Sequence, residues 1–226
     1  MDAAPTIDSR SPRGLGRLLA GLLLLVLVSW GVFAARIYGE FHDWGSPWVG
    51  QGGKDAGGGG AILGVSWLMP IAGLLLGVLC AGLFGGPTSA KKVLARSGIG
   101  IALVIGALAV GMGVLGFESA PLVVIPAGIV GAILAATSWP LLGKVLLAYG
   151  MLVRVPIALL TYPAVLYGWG THMEKLPPEA GEMTLEQTAQ GLAQAQILIW
   201  IPATLLLGTL FAGLAMLFVQ RGALDR

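Results

Sequence analysis

Apolar residues fall in six long runs along the chain, at 18–35, 61–84, 99–117, 122–139, 145–169 and 197–219. Charged and turn-forming residues gather between them. None of the runs alternates apolar with polar positions, as a strand of a membrane barrel would. Each approaches or exceeds the roughly 20 residues that carry a helix across a bilayer. Within hydrocarbon, every backbone amide must find its partner inside the chain, so each run is expected to be helical. The pattern predicts an all-α, polytopic transmembrane bundle of six helices. The bundle spans 18–220, between an N-terminal tail (1–17) and a C-terminal tail (221–226). Two longer segments, 36–60 and 170–196, join helices on one face.

Composition agrees. Of 226 residues, 56% are hydrophobic and 11% charged, against about 25% charged in soluble domains. A net charge of +2, with no basic stripe, argues against nucleic acid as a partner. Membrane lipid and other membrane protein subunits are the partners expected. Cys80 is the single cysteine, which excludes an intramolecular disulfide.

The charges between runs give an orientation. Arg10, Arg13, Arg17, Lys91, Lys92, Arg96, Lys144, Arg221 and Arg226 fall in one set of loops, and Arg36, Lys54 and Lys175 in the other. By the positive-inside rule both termini face the cytoplasm. The first run has a basic flank and small residues at Ala34 and Ala35, as a secretory signal does. Its length, and the bulky Phe33 and Arg36 around the cleavage point, favour an uncleaved helix. Trp30, Trp44, Trp48, Trp67, Trp169 and Trp200 map toward the outer face and Trp139 toward the inner one. Indoles anchor at headgroup level, and Trp44, Trp48, Trp169 and Trp200 form a candidate outer aromatic surface.

In 36–60 the stretch GGKDAGGGG reads as a flexible linker. In 170–196, Pro177 and Pro178 stop a helix. Thr184 with Gln187 then forms a capping-box pattern, so the last helix should start near Leu185. Pro202 should kink it. Ala102, Gly106, Ala109 and Gly113 share one face of the third helix, and Ala127, Gly131 and Ala135 one face of the fourth. Such stripes let backbones approach closely, and packing within the bundle is the expected use.

The stretch LVRVPIALLTYP (152–163) puts Arg154 in an apolar run. An arginine at mid-bilayer costs about 2.5–3.5 kcal/mol. Two geometries are open. Arg154 is buried near mid-helix, or residues 141–153 lie along the inner surface and Arg154 is an interfacial anchor. Pro156 and Pro163 each free a backbone carbonyl, and Arg154 or Thr161 can donate to it. Broken helices around a charge form the sites of many transporters. Arg154, Lys144, Thr161 and Tyr149 are therefore the candidate binding residues for an anionic headgroup or solute approaching from the inner side.

The apolar runs hold no Asp, Glu or His near their centres, which disfavours proton-coupled transport. No GxSxG, HExxH, CxxC or phosphate-loop motif occurs. No cofactor is expected. His42, Asp43, His172 and Glu174 lie in the outer segments, and His with carboxylate is metal-ligand chemistry. They form a candidate metal set.

The segment RVPIALLTYPAVLYGWGTHMEKLPPE, with its words Arg154-Val-Pro, Gly168-Trp-Gly-Thr-His172 and Leu-Pro-Pro, resembles multi-pass bacterial membrane proteins of unknown function. The resemblance covers about 25 residues. It implies a bacterial inner-membrane location, supplies no activity, and points to Arg154, Trp169 and His172.

Three function classes remain. First is a non-catalytic accessory or scaffold subunit of a membrane complex. Second is a small carrier or channel using Arg154 in the proline-kinked helix. Third is a lipid-modifying membrane enzyme, which requires His172 and an acidic group to converge.

Overall fold

The computed structural model describes residues 12–45, 47–49, 61–176 and 180–224. The described residues form seven helices: α1 (Pro12–Phe41), α2 (Leu68–Phe84), α3 (Ala90–Val110), α4 (Pro121–Ser138), α5 (Pro140–Tyr167), α6 (Leu185–Leu198) and α7 (Trp200–Leu224). Six segments are long and apolar enough to cross a membrane, with α6 and α7 counting as one. This is the build of a multi-pass integral membrane protein. The GGKDAGGGG linker, Pro177 and Pro178 lie outside the described residues.

Local chemistry sets the helix ends. The Ser89 hydroxyl accepts from the Lys92 amide at 3.3 Å and starts α3. At the head of α6, Thr184 Oγ1 accepts from the Gln187 amide at 3.2 Å, and Gln187 Oε1 accepts from the Thr184 amide at 3.0 Å. This is the expected capping box. Helix α5 runs unbroken through Pro156 and Pro163 and ends at Gly168, whose φ of +60° is left-handed. The last span is interrupted at Ile199, three residues before Pro202. A proline ring crowds the carbonyl four residues earlier, here Leu198, and cannot donate to it.

Helix α7 is the hub, packing on α2, α3, α4, α5 and α6, while α1 rests on α2 and α5. Two glycine pairs set the closest approaches. A Cβ on Gly73 of α2 would collide with the backbone of Gly208 on α7. A Cβ on Gly100 of α3 would lie 2.8 Å from the carbonyl oxygen of Gly131 on α4.

One expected stripe packs and the other does not. Gly131 and Ala135 are buried on α4. On α3 the buried face is Val93, Ser97 and Gly100. Ala102, Gly106, Ala109 and Gly113 instead face outward, and a Cβ on Gly106 or Gly113 would meet nothing within 4 Å. The face that contacts α4 and α7 is chosen by Gly100 meeting Gly131, and the small-residue stripe lies off it.

Leu79 near the end of α2 lies against Gly21 in the first half of α1, and His172 after α5 meets Glu40 at the end of α1. Lys91, Lys92 and Lys144 therefore lie toward the end where α1 begins, and His172, Trp44 and Trp48 toward the other.

Candidate functional site

Arg154 is 5% exposed and sits midway along α5, between Pro140 and Tyr167. Its neighbours on α5, among them Tyr149, Gly150, Val153 and Ile157, are also buried. Residues 141–153 belong to the same continuous helix as Arg154 and do not form a separate surface segment. Arg154 Nη1 donates to Gln196 Oε1 at 3.2 Å. Its guanidinium lies 4.9 Å from the ring centre of Trp200, an arrangement that favours a cation. Gln196 and Trp200 are four residues apart across the α6–α7 break, so both reach the same group. The Nη2 atom is buried with no hydrogen-bond partner. Among the described residues no carboxylate pairs with Arg154.

A cavity of about 40 Å³ opens beside it, lined in part by Arg36, Ser66, Arg154, His172 and Gln196. A site needs roughly 10–15 Å³ to hold one water, so this one has room for a polar group of a few atoms.

The second part of the site comes from α1. The helix continues to Phe41, which turns Arg36 from an expected loop cation into a buried helical residue, 2% exposed. Arg36 Nε donates to Glu40 Oε1 at 2.9 Å, one turn on. His172 then closes over Glu40. Its backbone amide donates to Glu40 Oε2 at 3.1 Å, and its Nδ1 lies 2.8 Å from each carboxylate oxygen.

The turn that delivers His172 is built locally. Gly168 and Gly170 have φ of +60° and +73°, conformations that favour glycine. Glu174 Oε1 accepts from the Thr171 amide at 2.9 Å and from its hydroxyl at 3.2 Å. The Gly-Trp-Gly-Thr-His word is thus a helix stop followed by a capped turn over the end of α1. Burial chiefly pushes the His172 imidazole below its ordinary pKa. The Glu40 hydrogen bond opposes this, and Arg36 and Lys175 add to it. The imidazole is neutral at neutral pH, and Nδ1, facing a carboxylate, carries the proton.

Of the expected binding set, Tyr149 lies near enough to Arg154 to interact with its charge, while Thr161 and Lys144 are engaged elsewhere. Tyr149 OH bonds Ser29 Oγ at 2.7 Å, away from the cavity lining. Thr161 donates back to Ile157 O at 2.8 Å rather than to a carbonyl freed by a proline. Lys144 is exposed and lines a different cleft. The residues that line the cavity with Arg154 include Arg36, Ser66 and His172.

The metal set does not converge. His42 Nδ1 bonds Tyr38 O at 2.8 Å, and its ring stacks on Tyr38. His172 is taken by Glu40, and Glu174 by Thr171. Among the described residues no three metal-type ligands cluster. Of the aromatic surface, Trp44 and Trp48 are exposed. Trp200 serves Arg154 instead, and Trp169 is half-buried in a pocket with Trp30 and Phe33.

No protein-family model, curated protein or solved structure matches the chain. The resemblance of the 154–179 segment has no family model behind it.

Proposed function

We propose that this integral membrane protein binds an anionic group, a phosphate or carboxylate, at Arg154. The observation that carries this is the Nη2 atom: a donor on a buried guanidinium, beside a small cavity, with no hydrogen-bond partner. A buried charge without a counter-ion is costly, and a buried unmet donor adds to the cost. An oxyanion in the cavity offsets both, and Arg is the side chain best shaped to hold one. Gln196 and Ser66 line the cavity with it, as do Arg36 and His172, which Glu40 joins from behind.

This ranks the carrier-like reading above an accessory subunit with no site of its own. The positive-inside distribution supports N-in and C-in termini in a cytoplasmic membrane. The His172 end then faces outward, and the anion enters from that side. The same anionic chemistry occurs in a free oxyanion and in a lipid headgroup. Thermal unfolding of the detergent-solubilised protein, with inorganic phosphate in one arm and micelles containing short-chain phosphatidic acid in the other, separates the two. Stabilisation in either arm that disappears in Arg154→Met supports the site and names its source. Equal midpoints with and without both probes would remove the proposal.

A second reading has one specific observation behind it. His172 and Glu40 converge at 2.8 Å, the orientation in which a carboxylate positions an imidazole as general base. Ser66 lines the same cavity. A lipid-cleaving activity that is lost in His172→Gln while phosphate stabilisation persists would favour an enzyme.

A further inference from the structure

We infer that the cleft between α4, α5 and the junction of α6 with α7 holds one acyl chain of an anionic phospholipid, whose headgroup phosphate is bound by Lys144. The inference rests on the membrane-spanning helices and is independent of the Arg154 site.

The cleft has a volume of about 530 Å³, inside the range of roughly 300–1,000 Å³ typical of small-molecule sites. Ala132, Ala136 and Gly143 are among its lining residues, and Gly143 packs directly on Ala136, where a Cβ would come within 2.8 Å of the carbonyl oxygen, so α4 and α5 meet closely at its floor. Ile133, Leu147, Met151 and Leu205 are among the apolar lining residues. The lining has two polar side chains. Thr137 turns its hydroxyl back to Ile133 O at 2.8 Å. That leaves Lys144, which is exposed, as its single charge.

Shape and charge select the occupant. Along α5 the lining runs from Pro140 to Met151, a length of about 16 Å at 1.5 Å per residue. That is close to one leaflet, half of a hydrocarbon core about 30 Å thick. The lining is apolar apart from Thr137 and a single cation near one end, a pattern that matches a hydrocarbon chain carrying an anionic headgroup. Lys144 lies at the end of the bundle that also carries the exposed Lys91 and Lys92. A flexible ammonium there reaches the headgroup level, and cations at that level attract anionic lipid.

The test is native mass spectrometry of the intact protein after exchange into detergent micelles containing equal phosphatidylglycerol and phosphatidylcholine. The expected result is one tightly retained lipid per chain, with phosphatidylglycerol favoured about fivefold. Lys144→Gln removes the preference. Met151→Trp, a substitution at an exposed position that narrows the cleft, abolishes retention of both lipids. Circular dichroism and thermal unfolding confirm that both variants fold. Equal retention of the two lipids in the wild type, or a preference unchanged in Lys144→Gln, overturns the inference. So does a preference lost in Arg154→Met and kept in Lys144→Gln, which would place the lipid at the other site. Disulfide capture of a second polypeptide by Leu147→Cys in a Cys80→Ser background would assign the cleft to a partner and overturn it too.

Discussion

The imidazole Nδ1 of His172 lies 2.8 Å from both carboxylate oxygens of Glu40, a residue 132 positions earlier. Glu40 also receives Arg36 and the His172 backbone amide. One carboxylate thus ties the end of α1 to the turn that follows α5, and it does so beside the cavity that Arg154 lines.

Stability should fall as the solution is acidified. Burial holds the His172 pKa below its ordinary value of 6.5 despite Glu40. The unfolded chain therefore binds the proton first. Stability is fully present above about pH 6.5 and is lost as pH falls through the lower folded-state pKa. The groups facing His172 are Glu40, Arg36 and Lys175. Asn at 172 keeps a donor for Glu40 and cannot titrate. The unfolding midpoint of His172→Asn should be flatter than wild type between pH 7 and pH 5. Parallel curves for the two proteins would show that His172 does not set the slope.

The two buried arginines should respond oppositely. Glu40→Gln breaks the ion pair of Arg36, whose side chain is 3% exposed, and should cost about 3–5 kcal/mol. Arg154→Met removes a charge that has no carboxylate partner. It should leave stability unchanged or raise it by up to about 4 kcal/mol, while abolishing anion binding. Chemical denaturation in mixed micelles measures both. A large loss in Arg154→Met would make Arg154 a structural group.

The glycines divide by environment. Gly73→Ala forces a Cβ onto the Gly208 backbone and should destabilise the α2–α7 contact by about 1–3 kcal/mol. Gly106→Ala meets nothing within 4 Å and should be neutral or stabilise by about 0.5–1 kcal/mol. The difference in thermal midpoint between the two variants checks the packing directly.

Ser29 and Tyr149 share a buried hydrogen bond of 2.7 Å between α1 and α5. Ser29→Ala leaves the Tyr149 hydroxyl without it, at a cost of about 1–3 kcal/mol. Adding Tyr149→Phe should recover most of that loss, because both polar groups are then gone. A double variant less stable than Ser29→Ala would contradict the pairing.

The six spans were legible because lipid leaves the backbone no alternative to helix. Thr184 and Gln187 announced the start of α6 by spacing alone, and Arg154 stood out as the one charge inside an apolar run. Its partners did not. Ending the first run at Ala35 placed Arg36 and Glu40 in a loop, although their four-residue spacing is that of a helical ion pair. Gln196 and Trp200 also share a four-residue spacing, but they lie on either side of the α6–α7 break, which the spacing does not reveal. The approach of His172 to Glu40 depends on the turn set by Gly168 and Gly170, and hydropathy carries no record of it. Likewise, small residues on α3 mark a stripe without saying which neighbour α3 meets.

The central claim, an anion site at Arg154, is tested most directly by protection of a neighbouring thiol. Ser66 lines the cavity with Arg154, so Ser66→Cys in a Cys80→Ser background reports on it without removing the guanidinium. The rate of labelling by a water-soluble maleimide is measured with and without inorganic phosphate or short-chain phosphatidic acid. The account predicts labelling that one of these anions slows, and no such protection once Arg154→Met is added. Labelling unaffected by either anion, or protection that survives Arg154→Met, would contradict it.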